Sequence, residues 1–207
     1  MYTIMPTGRE SSGNQRIAAL PLTEARTRSA EYGTRLASAD RNVFRTLLRH
    51  AELAKPLDDL VGMLLDRGRL PSRLRELVIM RIGWLTRSTY EWSRHWHVAQ
   101  SVGLSPLDVA DVRDWRTSDR YTATERAAFQ ATDEAWSTDR ITEETWNRCQ
   151  VALDDVQLLE LVAVIGNWRM MALLLNSVQI ALEDADTAWP PDGREPKLEI
   201  PAQAPNS

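Results

Sequence analysis

Apolar residues recur along most of this chain at the three- and four-residue spacing of an amphipathic helix, and not at alternate positions. Between these segments lie short turns that contain Pro, Gly, Ser or Thr, which are residues that cap or end helices. The pattern predicts helices over residues 23–35, 40–49, 55–66, 73–84, 88–103, 107–115, 122–137, 143–153 and 155–182. No segment shows convincing strand alternation, so the sequence predicts an all-α fold.

The two ends of the chain differ in composition from its helical part. Residues 1–18 are mostly polar and contain glycine, which predicts a flexible arm. Residues 189–207 are rich in proline, which predicts an extended tail that could lie on a neighbouring subunit. We therefore expect one helical-bundle domain over residues 19–188, with extended N- and C-terminal arms.

Composition and charge narrow the possible partners. Of the 207 residues 43% are hydrophobic and 26% are charged, as in ordinary globular proteins. The net charge of −4 argues against nucleic-acid binding through bulk positive charge. The most apolar segment, residues 158–175, contains Glu160, Asn167 and Arg169, which argues against a membrane span. We expect a cytoplasmic protein whose partner is a small molecule, with no nucleic acid and no membrane.

Cysteine and histidine are too few for most metal chemistry. Cys149 is the single cysteine, so a disulfide within the chain and a cysteine-based metal site are both excluded. His95 and His97 are two residues apart and lie on different sides of a helix, and His50 has no acidic motif beside it. We predict no metal site and no cofactor, and we expect Cys149 to be a core residue.

The strongest candidate chemistry lies in the helix that follows Ser88. Glu91 and His95 are four residues apart, so their side chains project from one face. A histidine oriented by a carboxylate in apolar surroundings can transfer protons without a metal or a cofactor. The helical period places Tyr90 and Arg94 on the outward side. The alternative is that Glu91 and His95 form an exposed pair without function, which would stabilise the helix by about 0.2–0.5 kcal/mol.

Glu76 is a second unusual residue, because it lies in an otherwise very apolar helix. A carboxylate that enters a protein core is costly unless it has a partner. Arg75 or Arg81 could pair with Glu76 for purely structural reasons. If Glu76 points at His95 instead, two acids surround one imidazole.

Two runs resemble one family: Leu70-Pro71-Ser72-Arg73-Leu74-Arg75-Glu76-Leu77-Val78-Ile79 and Tyr90-Glu91-Trp92-Ser93-Arg94-His95. They are similar to the carboxymuconolactone decarboxylase family, which also contains the alkyl hydroperoxidase D-like (AhpD-like) proteins. The resemblance is best over residues 42–112, and the segment 167–170 is also similar. It implies an all-helical bundle of the AhpD-like type and a homo-oligomer, a trimer or a hexamer, with sites near the subunit contacts.

The peroxidase branch of this family carries the motif Cys-x-x-Cys-x-x-x-His, with a Glu twelve residues before the first Cys. On this chain the motif falls on Ser88, Glu91 and His95, and the upstream acid falls on Glu76. Both thiols are replaced, so the peroxide chemistry that needs them should be absent. In the decarboxylase branch a Glu lies four residues before the His, as Glu91 does here, whereas Glu76 follows the peroxidase branch.

The leading hypothesis is a cofactor-independent carbon–carbon lyase or isomerase that acts on a small oxygenated acid or lactone derived from aromatic compounds. His95 would be the general acid/base, Glu91 would orient it, and Glu76 would be a second acid/base. The residues expected to contact the substrate are Arg87, Ser88, Tyr90 and Trp92. The alternative is a non-catalytic helical protein that binds a ligand or partner, which the eight tryptophans would suit. Alkyl hydroperoxidase activity is the least favoured possibility.

Overall fold

The computed structural model describes residues 15–197, and this part of the chain contains helices and no strand. The helices are α1 (Leu22–Tyr32), α2 (Leu36–Ala39), α3 (Asn42–Leu47), α4 (Ala51–Gly62), α5 (Ser72–Leu85), α6 (Thr89–Ser101), α7 (Pro106–Ala110), α8 (Ala123–Thr138), α9 (Glu143–Gln150) and α10 (Asp155–Val178). A π-helical turn, Met63–Arg67, extends α4, and 3-10 turns follow α3 and α7. The all-α prediction is confirmed. Residues 1–14 of the predicted arm and 198–207 of the predicted tail lie outside the described residues.

Side-chain caps fix several helix starts where the sequence predicted them. Thr122 begins α8 through a reciprocal capping box with Glu125, and the Thr142 hydroxyl accepts the Thr145 N–H in the first turn of α9. The first predicted helix ends earlier than expected. Gly33, with a φ of 70°, ends α1 in the left-handed conformation, and a separate short helix, α2, follows. Likewise α10 ends at Val178 because Gln179 adopts a φ of 59°.

Helix α5 is the central element and packs against α6, α8 and α10. All ten of its residues from Leu74 to Gly83 are buried, including the charged ones, as expected for a helix surrounded by others. Because Gly83 has no side chain, α6 can lie close to α5 at this position. A side chain at this position would place its Cβ 3.3 Å from the Trp92 nitrogen and 3.4 Å from the Glu91 Cβ. This close approach positions Glu91 against α5.

A cluster of tryptophans holds the segment after α10 on the helical body. The Trp92 ring lies 5.4 Å from that of Trp84 and 6.1 Å from that of Trp189, centroid to centroid. The Pro190 carbonyl accepts hydrogen bonds from Trp92 Nε1 at 2.8 Å and from Arg113 at 3.0 Å. Residues 189 and 190, which we expected in an extended tail, therefore pack against their own chain.

Candidate functional site

The structure brings Glu76, Glu91 and His95 together from two neighbouring helices. Helix α5 supplies Glu76, and α6 supplies the other two residues. His95 Nδ1 lies 2.8 Å from Glu76 Oε2, and His95 Nε2 lies 3.5 Å from Glu91 Oε2. The exposed fraction is 0% for Glu76, 5% for Glu91 and 6% for His95. The two acids thus flank one imidazole in a water-poor environment.

Both nitrogens of the His95 ring have defined partners. Glu76 accepts at Nδ1, while the indole N–H of Trp168, on α10, donates to Nε2 at 3.0 Å. A neutral ring with its proton on Nδ1 satisfies both hydrogen bonds at once. We expected Glu91 to orient the ring. The short contact comes from Glu76 instead, because the α5–α6 packing places that carboxylate directly behind the imidazole.

Glu76 is held as a buried anion. Burial by itself would raise the pKa of Glu76, but its interactions with His95 and then with Arg75 bring that pKa below its ordinary value. The Arg75 Nε lies 3.1 Å from Glu76 Oε1. Of the two arginines that we considered as structural partners, Arg75 is therefore the one that pairs. Arg81 binds Asp133.

Glu91 is the carboxyl group whose ionisation lies closest to neutrality. Burial raises the pKa of Glu91 from 4.5 to about 7, the nearby Glu76 charge acts in the same direction, and His95 partly offsets both. Among the described residues the Glu91 carboxyl group makes no hydrogen bond; its approach to His95 is an ion-pair distance of 3.5 Å. A carboxyl group in this state can take up or release a proton near pH 7.

The raised pKa of Glu91 predicts a specific dependence of stability on pH. Because the folded pKa lies above the unfolded one, the charged form is disfavoured in the folded protein, and stability falls as pH rises from about 4.5 to about 7. Glu91→Gln removes this cost. We expect the variant to exceed the wild type by up to about 3 kcal/mol near pH 8, with a much smaller difference near pH 5. Urea unfolding of both proteins at the two pH values measures this, and an equal difference at both would contradict it.

A pocket of about 210 Å³ opens beside the triad of Glu76, Glu91 and His95. Glu91, His95 and Trp168 are among the residues that line it, and Glu76 lies behind His95 without lining it. Its apolar walls come from α3, α4, α6 and α10: Val43, Phe44, Val61, Val98, Met171 and Leu175. The volume is below the range of about 300–1,000 Å³ typical of drug-sized ligands, so the pocket suits a small molecule.

Three arginines, Arg35, Arg41 and Arg94, also line this pocket. Arg35 is neutralised, because its guanidinium binds Asp58 at 2.9 Å and Asp66 at 2.8 Å. Neither Arg41 nor Arg94 forms an ion pair with any residue in the described range 15–197. The pocket therefore holds two positive charges that are available to a ligand.

Asp58 holds the segment that covers the pocket. Its carboxylate accepts from the Arg35 N–H at 2.7 Å, from Arg35 Nε at 3.0 Å and from the Ser38 hydroxyl at 2.6 Å. These bonds attach α2 to α4. As a result Arg41, which follows α2, lines the same pocket as residues of α6 and α10, much later in the chain.

The residues expected to contact the substrate separate into two groups. Tyr90 lines the pocket, and its hydroxyl donates to Glu183 at 2.5 Å. The other three do not line it. Ser88 is fully buried as the N-cap of α6, Trp92 is fully buried in the tryptophan cluster, and Arg87 borders a separate depression near the end of α10.

Sequence reasoning missed Arg41, Arg94 and Trp168. Arg94 was placed on the outward side of α6, but it is half-buried and lines the pocket together with residues of α2 and α3. No local signal marks Arg41, which lies about fifty residues before the motif. The only hint of Trp168 was the resemblance of segment 167–170, which gave it no role.

Thiol and metal chemistry have little support in this part of the protein. Burial raises the pKa of the Cys149 thiol to about 11, and this residue packs in the core. Within residues 15–197 no group of three or more His, Cys, Asp or Glu side chains is arranged to hold a metal ion.

One family profile matches part of the chain. Residues 51–134 match the profile of the carboxymuconolactone decarboxylase family. This segment belongs to that family. It contains Glu76, Glu91 and His95, whereas Arg41 and Trp168 lie outside it. No curated protein matches the chain.

Solved structures with the same fold include a debrominase and two peroxidase-related proteins. The debrominase Bmp8, in complex with 2,3,4-tribromopyrrole, is 16% identical with a TM-score of 0.71, over 84% of this chain and 95% of that one. An AhpD-core protein from Ralstonia eutropha JMP134 is 16% identical with a TM-score of 0.67, over 81% and 93%. A protein from Silicibacter sp. TM1040 is 12% identical with a TM-score of 0.69, over 86% and 96%. At these identities the likeness establishes the fold alone, which confirms the AhpD-like bundle.

Proposed function

We propose that this protein is a cofactor-independent lyase or isomerase that exchanges a proton with a small anionic molecule. One observation carries the proposal: a buried Glu–His–Glu triad lies beside a small pocket whose lining also includes two arginines that have no acidic partner among residues 15–197. The triad supplies a group that ionises near neutrality, and the arginines supply attraction for an anion.

Glu91 is the group in this proposal that meets the ligand. It lines the pocket, while His95 Nε2 is already occupied by the Trp168 indole N–H. Glu76 fixes the imidazole from behind and acts as a positioning residue. The assignment differs from the expectation that His95 would be the acid/base and that Glu91 would orient it.

The reaction consists of proton transfers, accompanied in a lyase by cleavage of one carbon–carbon bond as CO₂ leaves. The Glu91 carboxylate takes a proton from a carbon next to a carbonyl, and the C–H electron pair becomes an enolate. Returning the proton to a different carbon gives an isomer. Alternatively, a carboxylated substrate loses CO₂ to form the enolate, and protonated Glu91 then delivers its proton to carbon. In the isomerisation Glu91 is a carboxylate again once its proton has been returned to the substrate. After the decarboxylation Glu91 is left as a carboxylate, and it takes up one proton from water before the next cycle.

The two unpaired arginines give a direct prediction about binding. A hydrogen bond to a charged group contributes about 1.5–3 kcal/mol, so we expect Arg41→Ala and Arg94→Ala each to weaken binding of a small carboxylate about tenfold or more. The neutral amide of the same compound should bind the variants and the wild type about equally. Calorimetric titration measures both affinities.

Arg148→Ala is the matched control, because Arg148 is exposed on α9 and does not line the pocket. This control should leave carboxylate binding unchanged. Equal losses for the carboxylate and for its amide would show that the arginines do not act through charge.

The experiment that tests the function follows carbon–hydrogen exchange. Wild-type protein is incubated in D₂O with carboxylated lactones, 2-oxo acids and pyrrole carboxylates, and NMR measures deuterium uptake and product. The pyrroles are included because the debrominase of the same fold was solved with a tribromopyrrole. The proposal expects exchange or CO₂ release with at least one compound that binds in an Arg41-dependent manner.

A non-catalytic binder is the second candidate, and the Trp168–His95 hydrogen bond favours it. That bond occupies the imidazole lone pair, as in a ring fixed for structural reasons. Arg41-dependent binding with deuterium uptake no faster than in buffer, across the whole panel, would support the binder and overturn the enzyme.

A further inference from the structure

The outward face of α10 is apolar along most of its length. Between residues 156 and 173 every exposed position carries an apolar side chain or a glycine: Val156, Leu159, Val162, Gly166, Met170 and Leu173. A surface helix ordinarily has polar or charged residues on its solvent side. This face, which the protein leaves uncovered, therefore needs an explanation.

Five of these residues, Leu159, Val162, Gly166, Met170 and Leu173, form a symmetric pattern that we call the α10 stripe. Val162 and Met170 lie four residues on either side of Gly166 and are 43% and 42% exposed. Leu159 and Leu173 lie seven residues on either side and are 70% and 68% exposed. At about 100° per residue, all five lie within about 40° of one line along the helix.

Such a pattern is what a two-fold contact requires. In an isologous interface the same patch occurs on both subunits, and residue i of one copy meets residue j of the other. Two antiparallel copies of α10 that cross at Gly166 would place Leu159 of each copy opposite Leu173 of the other. Val162 and Met170 would meet in the same way.

Gly166 itself has no evident role within its own chain. A Cβ at this position would have no atom within 4 Å, so neither crowding nor an unusual backbone conformation requires glycine. Glycine in a helix interior is destabilising relative to alanine. Its missing side chain would instead allow a second helix to approach closely at the crossing point, since the distance between packed helices depends on the side chains at the contact.

We propose that the α10 stripe is a two-fold, antiparallel contact with a second copy of this chain. A hollow of about 210 Å³ lies beside the stripe and shares Val162 with it; Ile141 and Trp146 line it together with the charged residues Asp139 and Arg140. The family resemblance implied a trimer or a hexamer. A two-fold contact occurs in a dimer or in a hexamer made of two rings, and not in a single three-subunit ring.

A lipid bilayer is the competing occupant of this face. Among the described helices α10 is the one whose length and composition would allow it to cross a membrane, and half of its most apolar window is buried in the protein. The buried face includes Trp168, which donates to His95. Insertion of α10 into lipid would separate these two residues, so the folded site favours a second copy of the chain.

Charge substitutions at the two leucines test the contact in the full chain. By sedimentation equilibrium, we expect Leu173→Glu and Leu159→Lys each to raise the dissociation constant of the two-fold contact at least about 30-fold. In the double variant the introduced amino group of one copy faces the introduced carboxylate of the other. We therefore expect the double variant to recover association to within about tenfold of the wild type.

Two further variants separate association from folding. Leu107→Glu introduces the same charge at a leucine that is 57% exposed and lies off the stripe, and it should leave association unchanged. Gly166→Ala fits within its own chain, so it should weaken association without lowering the thermal unfolding midpoint measured at a concentration where both proteins are monomeric.

Several results would overturn the proposal. The first is a wild-type protein that is monomeric at about 100 µM. The second is a set of single variants that associate as strongly as the wild type, or a double variant that associates no more strongly than the single ones. The third is a Gly166→Ala variant that associates as strongly as the wild type. Co-sedimentation of the wild type with phosphatidylcholine–phosphatidylglycerol vesicles, in place of self-association, would show that lipid is the partner of this face.

Discussion

Replacing Glu91 with glutamine is expected to slow turnover of any substrate of this protein by about 10²- to 10⁴-fold, the usual contribution of general acid–base catalysis. Glutamine has nearly the same shape as glutamate but cannot exchange a proton. Glu91 lines the pocket, lies 3.5 Å from His95 Nε2, and has a pKa raised by burial to about 7. The variant should therefore keep its pocket and bind the ligand normally while the chemical step fails. Turnover and ligand affinity, measured separately, check this expectation.

The same substitution should make the folded protein more stable near neutral pH, because it removes a charge that burial disfavours. Loss of activity with a gain in stability is a combination that a purely structural residue would not produce. Glu52→Gln is the matched control, since Glu52 is an exposed residue in the first turn of α4. If Glu91→Gln turned over within about twofold of the wild-type rate, Glu91 would be excluded as the proton-transfer group. His95 would then be the candidate for that group.

The helices of this protein could be predicted because their signals are local. The apolar spacing, the capping boxes and Ser88 as the start of α6 all lie within a few residues of the feature that they determine. The boundaries that were missed at Gly33 and at Gln179 each depend on one residue adopting the left-handed conformation. The spacing of apolar residues on either side does not encode that choice.

The candidate site could be predicted only in part, because two of its components come from distant segments. Glu91 and His95 are neighbours on one helix, and their spacing was sufficient to pair them. The approach of Glu76 depends on how α5 crosses α6, and its carboxylate takes the orienting position that we had given to Glu91. Arg41 enters the pocket through the attachment of α2 to α4 by Asp58, which no local pattern reveals.

The helical period also led to the wrong conclusion about which α6 residues face the pocket. Arg94 was assigned to the outward side, yet it lines the pocket together with residues of α2 and α3. Tyr90, which the same period also placed outward, was expected to contact the substrate and lines the pocket as well. Trp92 lies on the opposite, apolar side, which packs on α5 and on the segment after α10. A period identifies residues that share a face, but it does not identify what covers that face.

Replacing Trp92 with alanine is accordingly expected to destabilise the protein by about 3–5 kcal/mol, the usual cost of removing a buried tryptophan. The side chain is fully buried, and its indole N–H donates to the Pro190 carbonyl at 2.8 Å. Its removal would also leave Arg113 without the ring over which it lies, 4.9 Å from the centroid. Because Arg113 is only 5% exposed, the loss of that partner adds to the cost of the cavity.

Urea unfolding monitored by circular dichroism measures the loss, with Trp136→Ala as the control at a tryptophan that is 36% exposed. The control should cost no more than about 1 kcal/mol, as is usual for a surface substitution. Affinity for the small carboxylate, measured where Trp92→Ala remains folded, should stay close to that of the wild type, because Trp92 does not line the pocket. If the variant instead kept most of its stability and lost ligand affinity, Trp92 would belong to the binding site after all, and the position of α6 against α5 described here would be wrong.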